Sequence, residues 1–508
     1  MQHYTDPELR EIYRQGEDTT VAFMKMLLQR LEALEKRVEE LTRRSAKTSR
    51  TSSKPPSSDG YAKVPKSLRV VSGKAPGREK GHLGETLEMR PIPDQTVIHR
   101  VAENLDTPGC CPCGSPVVVA ERSEQELHQH LSSERRQVFD LPAPRLVVVE
   151  HRLEVHSCPD CGREHRGAFP SEVSAPVQFG ERFTATAALI NVHHCLPVYR
   201  SAELLGDLYG HKVSTATIQT MVKRVSIAIE PSLEATKTAL VKAEVAHADE
   251  TGARCNGMLI WLHSFSTAFL TLIEPHQKRG TDAINAIGLL PQYQGILVHD
   301  CLRSYFALDC QHAVCNAHLL RELLAFAEET PAQVPAQVPA QVWASDLVGF
   351  LRASWHDTKA YRQQGITPSA ERTSAFENTY IRLVQNGLAQ HPRSTESPPN
   401  TETNGKKQRG SIAQSQEHNL LNRLHIWAGA VTLFWYDPRV PFDNNQAERD
   451  IRMVKVQQKV SGCFRTFAGA VTFCRIRSYC STVAKHGNAR LEELINALQG
   501  KPFIPTMT

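Results

Sequence analysis

A run of strand-like segments between residues 241 and 322 constrains the fold of this chain more than any other feature. Short apolar stretches follow one another, among them GMLIWLHSFS, AFLTLIEP and GILVHD. A further segment, HAVCNA, leads into a helical pattern, HLLREL. Three hairpin-like strands followed by strand and helix units predict a mixed α/β sheet. A chain of 508 residues exceeds what one core organises, so we expect two to four domains.

Composition excludes several classes of protein. No apolar run reaches the roughly 20 residues of a membrane helix, and the first residues are polar instead of basic and then apolar, unlike a secretory signal. We therefore expect a cytoplasmic protein that does not span or bind a membrane. Its thirteen cysteines are then expected to be metal ligands or buried side chains and not disulfides.

Positive charge is concentrated in two blocks. Residues 43–80 carry eleven Lys or Arg against two acids, and residues 449–490 carry nine against one. Each block is more positive than the whole chain, whose formal net charge is +5. Such blocks favour contact with a polyanion, although the first alone is equally typical of a solubilising tail.

The first 45 residues predict a helix with a leucine-zipper-like seam. Apolar residues recur at alternating three- and four-residue steps: Met24, Leu27, Leu31, Leu34, Val38 and Leu41. This spacing favours a coiled coil that joins two copies or binds a partner. The alternative is an amphipathic helix packed on its own domain. Residues 46–95 are rich in Ser, Lys and Pro and predict a basic flexible linker.

Two Cys-x-x-Cys units predict a zinc-binding module over residues 96–172. CCPCGS and CPDCGREH supply four thiolates in the pairing that tetrahedral zinc prefers, and we assign Cys110, Cys113, Cys158 and Cys161 as ligands. Cys111 is an ambiguity, since it adjoins Cys110. The strand-like stretch LVVVEHRLEVH between the units is expected to bring them together. Redox activity is the alternative for such units.

Residues 176–232 follow the pattern of a helix-turn-helix. A first helix is expected to end at Gly210, and Ser214 can cap a second helix. The second helix carries three side chains suited to DNA contact: Gln219, Lys223 and Arg224. Plain scaffolding explains the same pattern equally well.

Three acids stand where the fold does not need them. Asp249 and Asp300 end apolar runs, and Glu448 opens a predicted helix that Asp443, Asn444 or Asn445 could cap. Carboxylates brought together repel one another unless cations such as Mg²⁺ or Mn²⁺ lie between them. Two such metals can promote in-line attack on a phosphodiester.

The neighbours of Glu448 are basic. Lys455 follows two helical turns later and is expected on the same face, where a cation could hold phosphate. The alternative is a solvated helix with ordinary ion pairs.

Residues 323–430 predict a helical insertion that divides the sheet domain into 240–322 and 431–480, with a helical tail at 481–508. The tetrad PAQV is repeated three times within the insertion, and the segment HPRSTESPPNTETNGKKQRGS is strongly polar. Both are expected to be loops without a chemical role.

The motifs HADET, ILVHDCLRSY, CNAHLLREL and DNNQAERDIRMVK together resemble those of the insertion-sequence-66 family transposases. The order of the zipper-like start, SSKPPSSDG, the paired Cys-x-x-Cys units and LPVYRSAELLGDLYG is also similar. The resemblance implies a multidomain α/β protein with an RNase H-like core of the DDE class. In it Asp249, Asp300 and Glu448 would bind catalytic metal, and Lys455 would be the basic residue downstream.

Further expectations follow from this resemblance. Cys315 and His318 match a Cys-x-x-His element whose role is either packing or DNA positioning. Arg452, Lys455 and Lys459 would contact DNA phosphates. The implied partners are the terminal repeats of a mobile element, target DNA, a second copy of the chain and accessory transposition proteins, in a bacterial cytoplasm and on the nucleoid when DNA is bound.

The resemblance implies a metal-dependent transposase that cuts and joins DNA ends. Two alternatives remain: an RNase H-like nuclease without strand transfer, and a catalytically silent DNA-binding regulator derived from a transposase.

Overall fold

The computed structural model describes residues 6–45, 87–97, 113, 115, 136–170, 172–327, 342–395, 412 and 414–506. It forms two compact units, one of residues 1–68 with 150–508 and one of residues 69–149. Most of the predicted linker, Cys110, Cys111, the PAQV repeats and most of the polar segment of the insertion lie outside the described residues. In the smaller unit, the Gln137 amide pairs with the backbone N–H and C=O of Arg90, each at 2.8 Å.

Two helices open the larger unit: α1 (Asp6–Arg14) and α2 (Glu17–Ser45). The predicted helix is therefore confirmed, and its acidic first turn, Glu17 and Asp18, suits the helix dipole. Much of the apolar seam is exposed, with Leu31 at 55% and Leu34 at 58%. This exposure argues against the alternative of packing on its own domain, whereas pairing with a second copy stays a prediction.

A short hairpin carries the second Cys-x-x-Cys unit. Strand β1 (Val155–Ser157) pairs antiparallel with β2 (Glu164–Arg166). The strand predicted over all of LVVVEHRLEVH is therefore too long. The reason is that β2 offers only three residues to pair with, and Val147, Val148 and Val149 are exposed without strand structure.

Four helices and a π-helical turn make up the next region: α3 (Glu181–Ala188), the π-helix Leu189–His193, α4 (Val198–Tyr209), α5 (Thr215–Ala228) and α6 (Glu230–Val241). The predicted helix-turn-helix ends are confirmed. Gly210 closes α4 with φ of 65°, a conformation that glycine adopts without strain. Ser214 Oγ accepts the N–H of Thr217 at 3.0 Å and caps α5.

The sheet is mixed, as predicted. Its strands, in spatial order β5-β4-β3-β6-β7, are β3 (Val245–Cys255), β4 (Met258–Ser266), β5 (Thr271–His276), β6 (Ile296–His299) and β7 (Gln311–Val314). The first three form an antiparallel meander, and β6 and β7 join it in parallel. This arrangement fits an RNase H-like core.

The remaining helices surround the sheet: α7 (Thr281–Ile287), α8 (Asn316–Ala327), α9 (Val342–Gln364), α10 (Ala370–Gln390), α11 (Gln416–Ile426), α12 (Ala428–Tyr436), α13 (Asn445–Ser461), α14 (Phe467–Lys485) and α15 (Arg490–Leu498). The predicted insertion is confirmed as mainly helical in its described part, which holds α9 to α11 and the start of α12. Among the described residues, no helix is long and apolar enough to cross a bilayer.

Strand alternation divides the core between the two faces of the sheet. In β5, Ile273 belongs to a cluster with α3–α5 and α13–α15, whereas its neighbour Leu272 packs with residues of α6 and α7. A third cluster joins Ile296 and Val298 of β6 to the insertion helices. The insertion is thus part of the folded core.

Helix α14 covers the edge strand β5. Ser478 Oγ accepts the N–H of Ile273 at 2.8 Å, and Thr482 Oγ1 accepts the N–H of Thr271 at 3.0 Å. An open sheet edge exposes such groups to pairing with other chains. The two hydroxyls satisfy them within the molecule.

We predict that Gly295→Ala destabilises the sheet. A Cβ at Gly295 would lie 2.5 Å from the carbonyl oxygen of Ala243 and 2.7 Å from that of Glu244, where β6 begins. Overpacking of this kind costs about 1–3 kcal/mol, so the thermal unfolding midpoint should fall.

The matched control is Gly349→Ala. Gly349 lies within α9, and a Cβ added there would meet no atom within 4 Å, so the change should stabilise that helix by up to about 1 kcal/mol. Equal midpoints for the two variants would contradict the prediction.

Candidate active site

The sheet register places Asp249 beside Asp300. Strands β3 and β6 are parallel, and their last paired residues are His247 and Val298. Asp249 lies two residues beyond His247 within β3, and Asp300 lies two residues beyond Val298, directly after β6 ends, so the same register sets them opposite one another. Neighbouring strands are about 4.8 Å apart, and residues at matched positions point to the same face.

The sequence places Asp249 at the end of an apolar run and so suggested a strand end. In the structure Asp249 lies within a strand instead. It is the fifth residue of β3, which continues to Cys255 because its antiparallel partner β4 extends that far. The end that matters is that of β6, directly before Asp300. Asp249 therefore lies where the parallel pairing stops and the antiparallel pairing continues.

Burial and mutual repulsion make both aspartates costly to ionise. Burial raises the pKa of Asp249 well above its usual range, and Glu250, Asp300 and Glu448 add to the effect. Burial, followed by the charge of Glu250, raises the pKa of Asp300 to about 6. The three predicted acids therefore share one electrostatic environment.

Glu250 is a site residue that sequence reasoning missed. Its side chain is 1% exposed and paired with Arg279, whose Nε donates to Oε1 at 2.9 Å. The hydroxyl of Tyr305 donates to Oε2 at 2.6 Å. Its position directly after Asp249 in a predicted strand could have identified it, because successive residues of a strand point to opposite faces of the sheet.

Asn444 fastens the helix that carries Glu448 to the sheet. Its side-chain oxygen lies 2.8 Å from His247 Nδ1, and its amide nitrogen donates to the carbonyl oxygen of Ala248 at 2.8 Å. Its backbone N–H lies 3.1 Å from the sulfur of Cys315. Asn444 occupies the predicted N-cap position of α13, but its side chain does not cap the helix because these contacts engage it.

Glu448 lies in the first turn of α13 between the sheet and α8. Its Oε1 is 3.6 Å from His318 Nε2, and its Oε2 is 3.9 Å from an Arg321 nitrogen. Burial raises the pKa of Glu448, and Arg321 opposes that rise. Among the described residues, the buried Oε1 has no hydrogen-bond partner.

Asp249, Asp300 and Glu448 are of the donor type that Mg²⁺ and Mn²⁺ prefer, and burial with mutual repulsion, which raises the pKa of Asp249 and Asp300, is what a cation would relieve. Among the described residues, however, the ligand atoms of these three acids do not all lie within 4.8 Å of one another, so the structure does not close a metal site on them. Glu250 is excluded as a ligand because Arg279 and Tyr305 occupy its oxygens.

The basic residues of α13 are divided between the sheet and the surface. Lys455 Nζ donates to the carbonyl oxygen of Gly252 in β3, so in this structure it secures the helix. Arg452 and Lys459 are exposed. The predicted phosphate contacts thus have two free candidates, and Lys455 would have to exchange a backbone partner for DNA.

The second predicted DNA-contacting helix presents its polar residues outward. Gln219, Lys223 and Arg224 are exposed on α5, where Arg224 pairs with Glu181 of α3 at 3.1 Å. The opposite face of α5, with Ile218 and Val225 fully buried, packs in the core. The helix is therefore held firmly with its polar side free.

The second Cys-x-x-Cys unit forms a tight turn between β1 and β2. Gly162, with φ of 68°, donates its N–H to the carbonyl oxygen of Cys158 at 2.9 Å. Hydrogen bonds from the backbone of Cys161 and Asp160 lower the pKa of Cys158. Thiolate is the form that binds zinc. Cys113 is also described and is exposed, whereas Cys110 is outside the described residues.

Comparison with known proteins gives two family matches. A family model described as "Transposase IS66 family" matches residues 176–472. A second, a family of unknown function, DUF6444, matches residues 4–88. A search of the curated proteins found no match. The first match covers more than half of the chain, from the helix-turn-helix-like region to α14.

We predict that Asp300→Asn stabilises the metal-free protein at high pH. A folded-state pKa of about 6 exceeds the unfolded value of roughly 3.9, so the folded state binds more protons between these values and its stability falls as pH rises through them. In thermal unfolding with a chelator, the variant should be more stable than wild type at pH 8, by on the order of 2 kcal/mol. At pH 4 the two proteins should be about equally stable.

The exposed Asp309→Asn is the control and should show no such pH dependence. Added Mg²⁺ should stabilise wild type more than Asp300→Asn. A variant no more stable than wild type at pH 8 would show that Asp300 is not strained by burial.

We predict that Asn444→Ala loosens α13. The change leaves His247 and the Ala248 carbonyl without their partner, at a cost of about 2–3 kcal/mol. Hydrogen exchange followed by mass spectrometry should show faster exchange over 445–461. Asn285→Ala, at an exposed position of α7, should leave that exchange unchanged. If hydrogen exchange over 445–461 were the same in Asn444→Ala as in wild type, Asn444 would not position α13.

Proposed function

The chain belongs to the IS66 family of transposases, and on that premise we propose that it cuts the ends of a mobile element and joins the freed 3′-hydroxyls to target DNA. The observation that supports the proposal is the β3–β6 register, which sets Asp249 opposite Asp300, together with the Asn444 contacts, which hold the Glu448 helix to the same strand. Asp249 and Asp300 would hold divalent metal, with Glu448 as third ligand.

Metal at these acids would activate a water or a 3′-hydroxyl for in-line attack and stabilise the leaving oxygen. The protein's own part would be to hold Asp249 in β3 opposite Asp300 at the end of β6, and to fasten the Glu448 helix beside them. Arg321 lies next to Glu448 without closing a short ion pair, at 3.9 Å. Glu250, tied to Arg279, fixes the strand without competing for metal.

Recognition of DNA ends would use several surfaces of the chain. The exposed Arg452 and Lys459 on α13, with Lys455 after release from Gly252, would contact phosphates near the acids. Gln219, Lys223 and Arg224 on α5 would contribute to the reading of the terminal repeat. The four cysteines Cys110, Cys113, Cys158 and Cys161 would hold structural zinc.

The exposed seam of α2 supports a homo-oligomer. An apolar stripe that is open to solvent on a long helix is stabilised by burial against a second copy, and two copies would pair the two element ends. The same proposal includes accessory transposition proteins and a place in the bacterial cytoplasm, on the nucleoid when DNA is bound.

The test is strand transfer in vitro. A labelled duplex that carries the ends of the element encoding this chain is incubated with target DNA, full-length protein and Mg²⁺. Asp300→Ala and Glu448→Gln should each lose at least about a hundredfold in joining, because each removes a metal ligand. Asp309 is an exposed acid near the sheet, and the control variant Asp309→Asn should join DNA as wild type does.

Each outcome separates the candidate functions. If both variants joined DNA as well as wild type, the triad would be wrongly assigned. Nicking without joining by wild type would favour an RNase H-like nuclease, and binding of the ends without cleavage would favour a silent regulator.

A further inference from the structure

A second donor set adjoins the acids and is different in kind. The sulfur of Cys315, a nitrogen of His318 and a carboxylate oxygen of Glu448 all lie within 4.8 Å of one another. Cys315 directly follows β7, His318 lies one turn later in α8, and Glu448 comes from α13. Three elements of the fold thus converge on this point.

The geometry of the set is close to that of a bound transition metal. Ligand bonds of about 2.0–2.3 Å in tetrahedral geometry place donor atoms roughly 3.3–3.8 Å apart. His318 Nε2 and Glu448 Oε1 are already 3.6 Å apart. The sulfur lies within 4.8 Å of both other donors, so it is at most about 1 Å beyond the spacing that coordination requires.

The polar atoms of the set are not used elsewhere. Among the described residues, His318 Nδ1 and Glu448 Oε1 are buried without a hydrogen-bond partner. An unsatisfied buried polar atom costs about 1–3 kcal/mol, so one such atom on each of two neighbouring side chains indicates a missing partner. Cys315 is fully buried, and its sulfur accepts the backbone N–H of Asn444 at 3.1 Å.

We propose that Cys315, His318 and Glu448 form a binding site for a thiolate-preferring divalent metal, zinc above all, which competes with the catalytic metal for Glu448. A set of one sulfur, one imidazole and one carboxylate selects zinc over magnesium. Binding deprotonates the thiol, whose proton passes to solvent, and leaves a fourth position for water. The competition rests on the proposed function, whereas the site itself does not.

Sharing of Glu448 makes the two metals antagonists. Coordination of Oε1 by zinc would draw the carboxylate toward α8 and away from Asp249 and Asp300. Zinc bound there would therefore slow the magnesium-dependent reaction without displacing DNA. The Asn444 contacts hold both the Glu448 helix and the Cys315 sulfur, so they keep the two sites adjacent.

The first experiment measures metal binding without DNA. Metal-stripped full-length protein is titrated with Co²⁺, whose charge-transfer absorption reports thiolate ligands. Cys315→Ser should bind one equivalent less than wild type, and His318→Gln should bind that equivalent at least about tenfold more weakly. Cys480→Ser is the control, since Cys480 is equally buried in α14 and away from any such donor set among the described residues.

Identical titrations for wild type, Cys315→Ser and His318→Gln would overturn the site. His318→Gln retains the buried thiol, so the test stands even if Cys315→Ser fails to fold. The predicted zinc ligands Cys110, Cys113, Cys158 and Cys161 are unchanged in all these variants, and their contribution cancels in the comparison.

The second experiment tests the competition. Strand transfer in Mg²⁺ is measured with increasing Zn²⁺, each protein being normalised to its own activity without zinc. Zinc should inhibit wild type and Cys480→Ser at concentrations at least about tenfold lower than those that inhibit His318→Gln. Equal inhibition of all three would overturn the sharing of Glu448. Absence of strand transfer from wild type would instead count against the proposed function, and the cobalt result would still decide the site.

Discussion

The contacts of one buried amide hold the candidate site together. Asn444 is 1% exposed and bonds to His247 and Ala248 in β3, although 197 residues separate it from His247. A buried amide must find partners for both its oxygen and its nitrogen or lose free energy. Those partners lie beside Asp249 in β3. The hydrogen bonds that satisfy the Asn444 amide therefore also position the helix that carries Glu448.

The surroundings of Asp249 and Asp300 set how costly these acids are to ionise. A carboxylate in water costs nothing to ionise at neutral pH, but Asp249 and Asp300 lie close together in a sheet with Glu250 behind them. Arg279 forms an ion pair with Glu250, and the Tyr305 hydroxyl donates a hydrogen bond to its other oxygen. The fold thus concentrates negative charge on one face of the sheet and compensates it on the other.

Local patterns in the sequence were enough to predict the sheet, the helix-turn-helix caps and the helical insertion. The reason is that strand alternation and helix capping by Gly210 and Ser214 depend only on residues close together in the sequence. It also indicated Asp249, Asp300 and Glu448 as candidates, but not the register that sets Asp249 opposite Asp300. The partners of Glu250, the bonds of Asn444 and the attachment of Lys455 to Gly252 depend on strand register and on contacts between distant segments. No local pattern contains that information, and the strand predicted before β1 was too long for the same reason.

The position of α13 after the insertion also affects how the chain matures. The partners of Asn444 are synthesised long before Asn444 itself, and the insertion is translated between them. At about 5–20 residues per second, a ribosome would need roughly 7–30 s to pass from Asp300 to Glu448. Under the proposed function, the residues of all five strands are translated before the third acid exists, so a product truncated before Glu448 would lack one of the three acids that cutting requires.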